Sequence, residues 1–264
     1  LGIYDDIYHC SPRIKFLWQI IIAIILFLAG FQIDRIGDVI DLGSFSILLT
    51  VFWIVGITNS INLVDGIDGL ACGLILLSCV TLSFVYLERN MVEASFLAII
   101  LTGSIFGFLI FNFPPAKIIL GDTGSLPLGL LISLITLLPL SQKHTDEIYY
   151  LIPIITLLIP ILDTTFAFFR RLLKGISPFS KDAQHFHHRL IKLGFSQLKT
   201  ITILFIVCFY LNLTSLLPAY NIDLIHNFIP LYFLFVIINI GVLLLLLKRL
   251  EKKKQEKYHG NLFE

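Results

Sequence analysis

Charged side chains are scarce in this chain. Asp, Glu, Lys and Arg supply 14% of its 264 residues, against 57% apolar residues and a mean hydropathy of +0.91. A water-soluble globular domain carries about a quarter charged residues, so that class is excluded and an integral membrane protein is expected. Cysteine is equally sparse. Cys10, Cys72, Cys79 and Cys208 show no paired spacing and fall mostly within apolar segments, where they read as reduced, small packing residues rather than a disulfide framework. The start lacks a basic region followed by a short apolar core and a cleavage site, so no signal peptide is visible. It also lacks an initiator methionine; Leu1 to Asp6 read as the end of a helix already under way, and an N-terminal piece is expected to precede them.

What is abundant is long apolar runs. They occur at about eight places, roughly 14–31, 45–59, 70–87, 95–111, 125–140, 149–169, 200–217 and 228–247, each long enough to cross a bilayer as a helix. Transmembrane strands would be shorter and alternating. The expected fold is therefore an all-α, polytopic transmembrane helical bundle of about eight helices. Its membrane domain would span 1–247, with a basic tail at 248–264. Sixteen of the 19 Lys and Arg residues fall in one set of loops, leaving Arg35, Arg89 and Lys143 in the other, which assigns the first set to the cytoplasm. The run Lys248 to Lys257 reads as an orientation anchor on anionic lipid rather than a nucleic-acid site.

Four polar stretches fall on that cytoplasmic side. Asp5 and Asp6 are adjacent carboxylates near lipid, either compensated by a divalent cation or simply solvated. Asn59, Asn62, Asp65 and Asp68 recur every third residue at the end of the second span. The row would drift around a straight helix, so Gly66 and Gly69 are expected to break it and leave a polar pocket. The stretch Phe111 to Ser125 holds a proline pair, Lys117, and Asp122 between Gly121 and Gly124. It suits an anion or a metal ion near Asp122, or else a capping turn made by Asp122, Thr123 or Ser125. In the longest loop, His185, His187, His188 and Arg189 lack the cysteines and spacing of a zinc site. Hydrogen bonds to a phosphate or sugar fit them better, with a solvated basic loop as the third reading.

Residues 32–44 read as an outside connection in the form of a short hairpin, without chemistry. Asp163 within the sixth span needs a partner; Arg170, seven residues on, is the candidate, with a structural ion pair and a substrate contact both open. The polar stretches gather at one rim instead of the bilayer midplane, which favours an enzyme acting on a lipid headgroup over a transporter.

Four ordered motifs, Tyr4-Asp5-Asp6, Asn59 to Leu70, Asn112 to Ser125 and Pro178 to Leu190, resemble the polyprenyl-phosphate N-acetylhexosamine-1-phosphate transferases, grouped as glycosyltransferase family four. The resemblance implies transfer of sugar-1-phosphate from a UDP-sugar to undecaprenyl or another polyprenyl phosphate, with release of UMP, on the cytoplasmic leaflet of the bacterial inner membrane. Asn112-Phe113-Pro114-Pro115-Ala116-Lys117 and the histidine motif resemble the branch using UDP-N-acetylglucosamine; the alternatives are the pentapeptide-using branch and, from another class, a transporter of nucleotide- or lipid-linked sugars. The resemblance further implies Mg2+, or Mn2+ in its place, with Asp122 as principal ligand and Asp6 near the metal. Asp5 and Asp6 would serve the acceptor phosphate. Asn62, Asp65 and Asp68 would line the nucleotide or metal-proximal pocket, with Asn59 of the same row a further substrate-binding candidate; Lys117 would touch phosphate, and His185, His187, His188 and Arg189 would grip the sugar diphosphate. A homodimer is compatible with this reading. Members of the family generally carry two more helices before the Asp-Asp motif.

Overall fold

A computed structural model describes residues 1–36, 40–141, 148–177, 180 and 184–220, with scattered positions between 234 and 254. Among these residues the chain is helical apart from one two-stranded hairpin. The helices are α1 (Gly2–Tyr8), α2 (Pro12–Leu28), α3 (Phe45–Val64), α4 (Leu70–Glu88), α5 (Val92–Asn112), α6 (Gly121–Leu137), α7 (Ile148–Thr156), α8 (Leu158–Leu173), α9 (Phe186–Lys192) and α10 (Gln197–Tyr220). The hairpin pairs β1 (Arg35–Ile36) with β2 (Ile40–Asp41) antiparallel, as the 32–44 connection suggested, and the Tyr150 hydroxyl on α7 donates to the Arg35 carbonyl.

The all-α membrane architecture is found, but the eight expected spans are redistributed. By length and composition α3, α4, α5 and the 197–216 portion of α10 can each cross a membrane. The run 149–169 is two helices, α7 and α8, bent by 77° at a break, and counts as a fifth span if the pair is taken together. Pro153 and Pro160 explain the break, since each removes a backbone donor from the helical ladder. The runs 14–31 and 125–140 become α2 and α6, of 17 residues each. The run 228–247, the tail 248–264 and the Gln142–Glu147 connection lie outside the described residues, except for the scattered positions already noted.

Local chemistry explains the boundaries nearest the polar stretches. Ser11 caps α2 by accepting the Ile14 N–H, and Pro12 occupies the first helical position, where no donor is needed. The Asn59–Asp68 row is interrupted as expected: α3 stops at Val64, and α4 begins only after Gly69. α5 ends where Phe113 adopts the extended backbone that a following proline demands.

The core runs between α3, α4, α6, α7 and α10, with Ile54, Ile61, Leu74, Leu82, Ile132 and Ile152 almost completely buried. α3 and α6 approach so closely that a Cβ on Gly129 would fall 2.8 Å from the Thr58 Cα and 3.0 Å from its carbonyl oxygen. Both neighbours are backbone and cannot turn aside. Gly129→Ala should therefore lower the thermal midpoint of the detergent-solubilised protein, because overpacking of this kind costs about 1–3 kcal/mol. Gly103→Ala, where nothing lies within 4 Å, should leave the midpoint unchanged or slightly raised.

Candidate active site

α1 lies across the start of α6, and the contact is close enough that a Cβ on Gly2 would meet the Asp122 carbonyl oxygen at 2.4 Å. This brings Asp5 and Asp6 to Asp122. Each can offer one carboxylate oxygen, and the three oxygens lie within 4.8 Å of one another. Asp6 binds both backbone donors at the head of α6, taking the N–H of Asp122 at 3.0 Å and of Thr123 at 2.9 Å. The cap on α6 thus comes from a distant segment, not from within the 121–125 turn. Gly121 has a φ of 60° and lies 3.0 Å, at its would-be Cβ, from the Asp6 carboxylate; a side chain there would be strained and crowded.

Hydrogen bonds from Thr123, side chain and backbone, together with the Asp122 N–H, hold the Asp6 carboxyl below its ordinary value against the opposing effect of desolvation. For Asp5, desolvation opposes ionisation. Its hydrogen bonds with Lys15 and Asp122 and the charge of Lys15 together outweigh it, so its pKa also falls. The Lys15 Nζ donates to Asp5 Oδ2 at 3.0 Å and Asp122 Oδ2 at 2.8 Å, while Asn62 Nδ2 donates to Asp122 Oδ1 and Ser125 Oγ, both at 2.9 Å. Asp65 and Asp68 follow in the α3–α4 connection. Burial, then the like charges of Asp122, Asp68 and Asp6, push the Asp65 carboxyl up to about 7.

The histidine stretch joins the same region. Asp163 on α8 is 1% exposed and accepts from the Phe186 N–H at 2.8 Å while pairing with His185 Nδ1 at 2.9 Å. Its partner is therefore His185 and the head of α9. Arg170, the partner expected from sequence, donates instead to the Gln184 carbonyl. His187 is 1% exposed, and neither ring nitrogen has a partner in the described structure. Its Nε2 would lie 2.3 Å from a Cβ on Gly66, so the glycine leaves room for the imidazole to rest on the α3–α4 connection. His188 is its ring neighbour at 4.2 Å. Burial, then the charge of His188, push the His187 imidazole down to about 4.

The remaining sequence candidates are placed differently. Asn59 donates to Gln19 Oε1 at 2.5 Å and to the Val55 carbonyl, tying α3 to α2 away from the carboxylates. Lys117 is exposed, and its backbone N–H bonds the Phe111 carbonyl at 2.7 Å. Arg189 lies in α9, half-buried; residues 178, 179 and 181–183 of the histidine motif lie outside the described residues. Two residues not singled out from sequence are central. Lys15 was read only as an orientation charge, although its place just after the Ser11-Pro12 helix start was a usable signal. Asn112 accepts the Gly69 N–H at 3.0 Å and donates to the Ile118 carbonyl at 2.9 Å, pinning two of the motifs together.

A helical membrane bundle with a carboxylate cluster, a lysine and a histidine cluster at one end defines a class suited to anionic, phosphate-bearing substrates. The sequence profile of glycosyl transferase family 4 matches residues 1–139, and the chain belongs to that family. It is 41% identical over 221 residues, 82% of this chain and 62% of the relative, to a probable undecaprenyl-phosphate N-acetylglucosaminyl 1-phosphate transferase of Bacillus subtilis. A decaprenyl-phosphate N-acetylglucosaminephosphotransferase of Mycobacterium leprae is 32% identical over 231 residues, 78% of this chain and 58% of the relative. A phospho-N-acetylmuramoyl-pentapeptide-transferase of Listeria monocytogenes is 34% identical over 153 residues, 55% of this chain and 46% of the relative. The chain spans about three fifths of the length of the first two relatives.

Two outcomes follow from this geometry. Lys15→Met leaves Asp5 and Asp122 facing each other without their shared cation, and in chelator should destabilise the protein by about 1–2 kcal/mol, read as a lower thermal midpoint. For His187 the folded-state pKa lies below the unfolded one, so the unfolded chain takes up the proton first. Stability is then full above the ordinary histidine value of 6.5 and is lost as pH falls from there towards about 4. Thermal midpoints between pH 7.5 and 5 should fall less steeply in His187→Leu than in the parent.

Proposed function

We propose that this chain carries the catalytic core of a sugar-1-phosphate transferase. It moves N-acetylglucosamine-1-phosphate from UDP-N-acetylglucosamine to a polyprenyl phosphate such as undecaprenyl phosphate, releasing UMP, in an early membrane step of cell-surface polysaccharide synthesis. The observation that carries this reading is the convergence of Asp5, Asp6 and Asp122, from segments more than a hundred residues apart, with Lys15 and Asn62 at one end of an apolar bundle. The names of the relatives, which speak of undecaprenyl and decaprenyl phosphate and of N-acetylglucosamine phosphate, support the substrate choice. The distribution of Lys and Arg supports an active site facing the cytoplasm from the bacterial inner membrane.

The donor set fits a hard divalent cation, Mg2+ or Mn2+: all three groups are carboxylates, and Asp5 Oδ1 is buried without a partner. When bound by Asp5, Asp6 and Asp122, such an ion supplies charge neutralisation to the diphosphate of the donor. The chain's own groups do the rest. A phosphate oxygen of the lipid attacks the sugar-bearing phosphorus while the bond to the UMP oxygen breaks, so two anions must be held in line. Lys15, already between two carboxylates, offers its ammonium to the incoming phosphate. Asn62 fixes the orientation of Asp122, and the α9 histidines with Arg189 hold the sugar diphosphate over the 65–69 connection. Asp65 and Asp68 face the nucleotide side, and Lys117 is an outer phosphate contact.

The test is UMP release by the full-length protein in detergent with undecaprenyl phosphate and Mg2+, offered UDP-N-acetylglucosamine and UDP-N-acetylmuramoyl-pentapeptide in parallel. Release with the simple sugar is expected, and release only with the pentapeptide would move the chain to the other branch. Asp122→Asn should lower turnover by at least about 100-fold while the protein still inserts and purifies as a single species. Activity retained in that variant would remove the metal role assigned to it.

A further inference from the structure

In hydrocarbon a backbone carbonyl without a donor is costly, because no water can replace the missing bond. The α7–α8 break creates such a carbonyl. In a continuous helix the Thr156 oxygen would accept from residue 160, but Pro160 has no N–H. The vacancy is filled from another helix: Ser78 on α4, 1% exposed, donates its hydroxyl to the Thr156 carbonyl at 2.8 Å. A serine inside a helix ordinarily bonds back to the carbonyl four residues earlier. Here that carbonyl, Leu74, lies at 3.0 Å from the Ser78 Oγ and also accepts from the Cys208 thiol of α10. With one hydroxyl proton to give and a second donor on Leu74, Ser78 is free to serve the shorter contact across the helix interface.

The break fixes where α8 points. α8 carries Asp163, three residues beyond Pro160 and on the order of 5 Å along the axis. Asp163 caps α9 through the Phe186 N–H and orients His185 through Nδ1. The chain segment leading into α4 meets the same histidine stretch, where Gly66 receives the His187 ring and Asn112 holds the Gly69 N–H. The connection that leads into α4 therefore touches the histidine cluster, while Ser78 of α4 holds the break before the helix that carries the cluster's carboxylate.

We propose that Ser78 is a positioning residue: by satisfying the Thr156 carbonyl it locks the α7–α8 bend, and through Asp163 it sets the placement of α9 and its histidines against the 65–69 connection. The catalytic part of this inference rests on the transferase reading given above, in which those histidines hold the donor diphosphate; the structural part does not. Ser78 touches neither the carboxylate cluster nor Lys15, so the acceptor side of the site is independent of it.

Hydrogen exchange by mass spectrometry on the full-length protein tests the lock without reference to activity. In Ser78→Ala the Phe186 amide should exchange about two- to tenfold faster, the worth of one hydrogen bond, while the Asp122 and Thr123 amides exchange as in the parent. Ser78→Thr, which keeps the hydroxyl, should restore the parent rate. In a Pro160→Ala background, where residue 160 regains an N–H, Ser78→Ala should add no further change. Unchanged exchange at Phe186, equal acceleration at Asp122 and Thr123, or full additivity with Pro160→Ala would each overturn the lock. Kinetically, Ser78→Ala should raise the KM for UDP-N-acetylglucosamine by about two- to tenfold, with kcat and the KM for undecaprenyl phosphate nearly unchanged. Local exchange with an unchanged donor KM would overturn the positioning role. Local exchange in a parent protein that releases no UMP from any UDP-sugar would support the lock and sink the transferase reading instead.

Discussion

Three like charges held together at the end of an apolar bundle are the constraint on which this structure turns. Carboxylate oxygens within 4.8 Å of one another repel by about 3 kcal/mol or more per pair at an effective dielectric of 20. Compensating groups come from three helices. The Lys15 ammonium arrives on α2, the two N–H groups that take Asp6 are the head of α6, and the amide of Asn62 is delivered by the last turn of α3. The packing of α1 against α6, of α2 against α3 and of α3 against α6 is thus tied to an electrostatic demand as well as to the apolar core.

The histidine stretch is organised by a second buried carboxylate, Asp163, which takes one ring nitrogen and one backbone N–H. The two centres meet over residues 65–69, a short connection with Asp65 and Asp68 on it, Gly66 under the His187 ring and Gly69 anchored by Asn112. Burial first, and then the carboxylates of Asp122, Asp68 and Asp6, raise the Asp65 carboxyl above its ordinary value.

Much of this was legible in the sequence, and the failures have physical causes. Apolar run length identified a helical membrane bundle, and the glycine spacing in Asn59 to Leu70 foretold the gap between α3 and α4. Run length alone does not show where a ladder bends: 149–169 is apolar enough overall to count as one run, yet two prolines divide it into helices at 77°. Compensation of adjacent acids singles out Asp5 and Asp6, and flanking glycines single out Asp122, but only the family resemblance joins the three; the compensating lysine is hidden, since lysines at helix ends are the ordinary orientation signal. Asn59 shared the three-residue repeat of Asn62 and lay one turn further into the bundle, where Gln19 took its amide. Asp163 was expected to find an arginine on its own helix and found a histidine 22 residues on, a pairing that only the loop closure between α8 and α9 makes available.

The capping of α6 by Asp6 also sets an order of assembly. The two residues it joins are separated by 116 positions, across which α2, α3, α4 and α5 must be made and inserted. At a synthesis rate of about 5–20 residues per second, α6 emerges on the order of ten seconds after α1. Until then Asp6 lacks the two α6 amides that take its carboxylate, while Asp5 can already pair with Lys15, ten residues on. The carboxylate cluster therefore cannot be complete before the first turn of α6 has been made and has met Asp6.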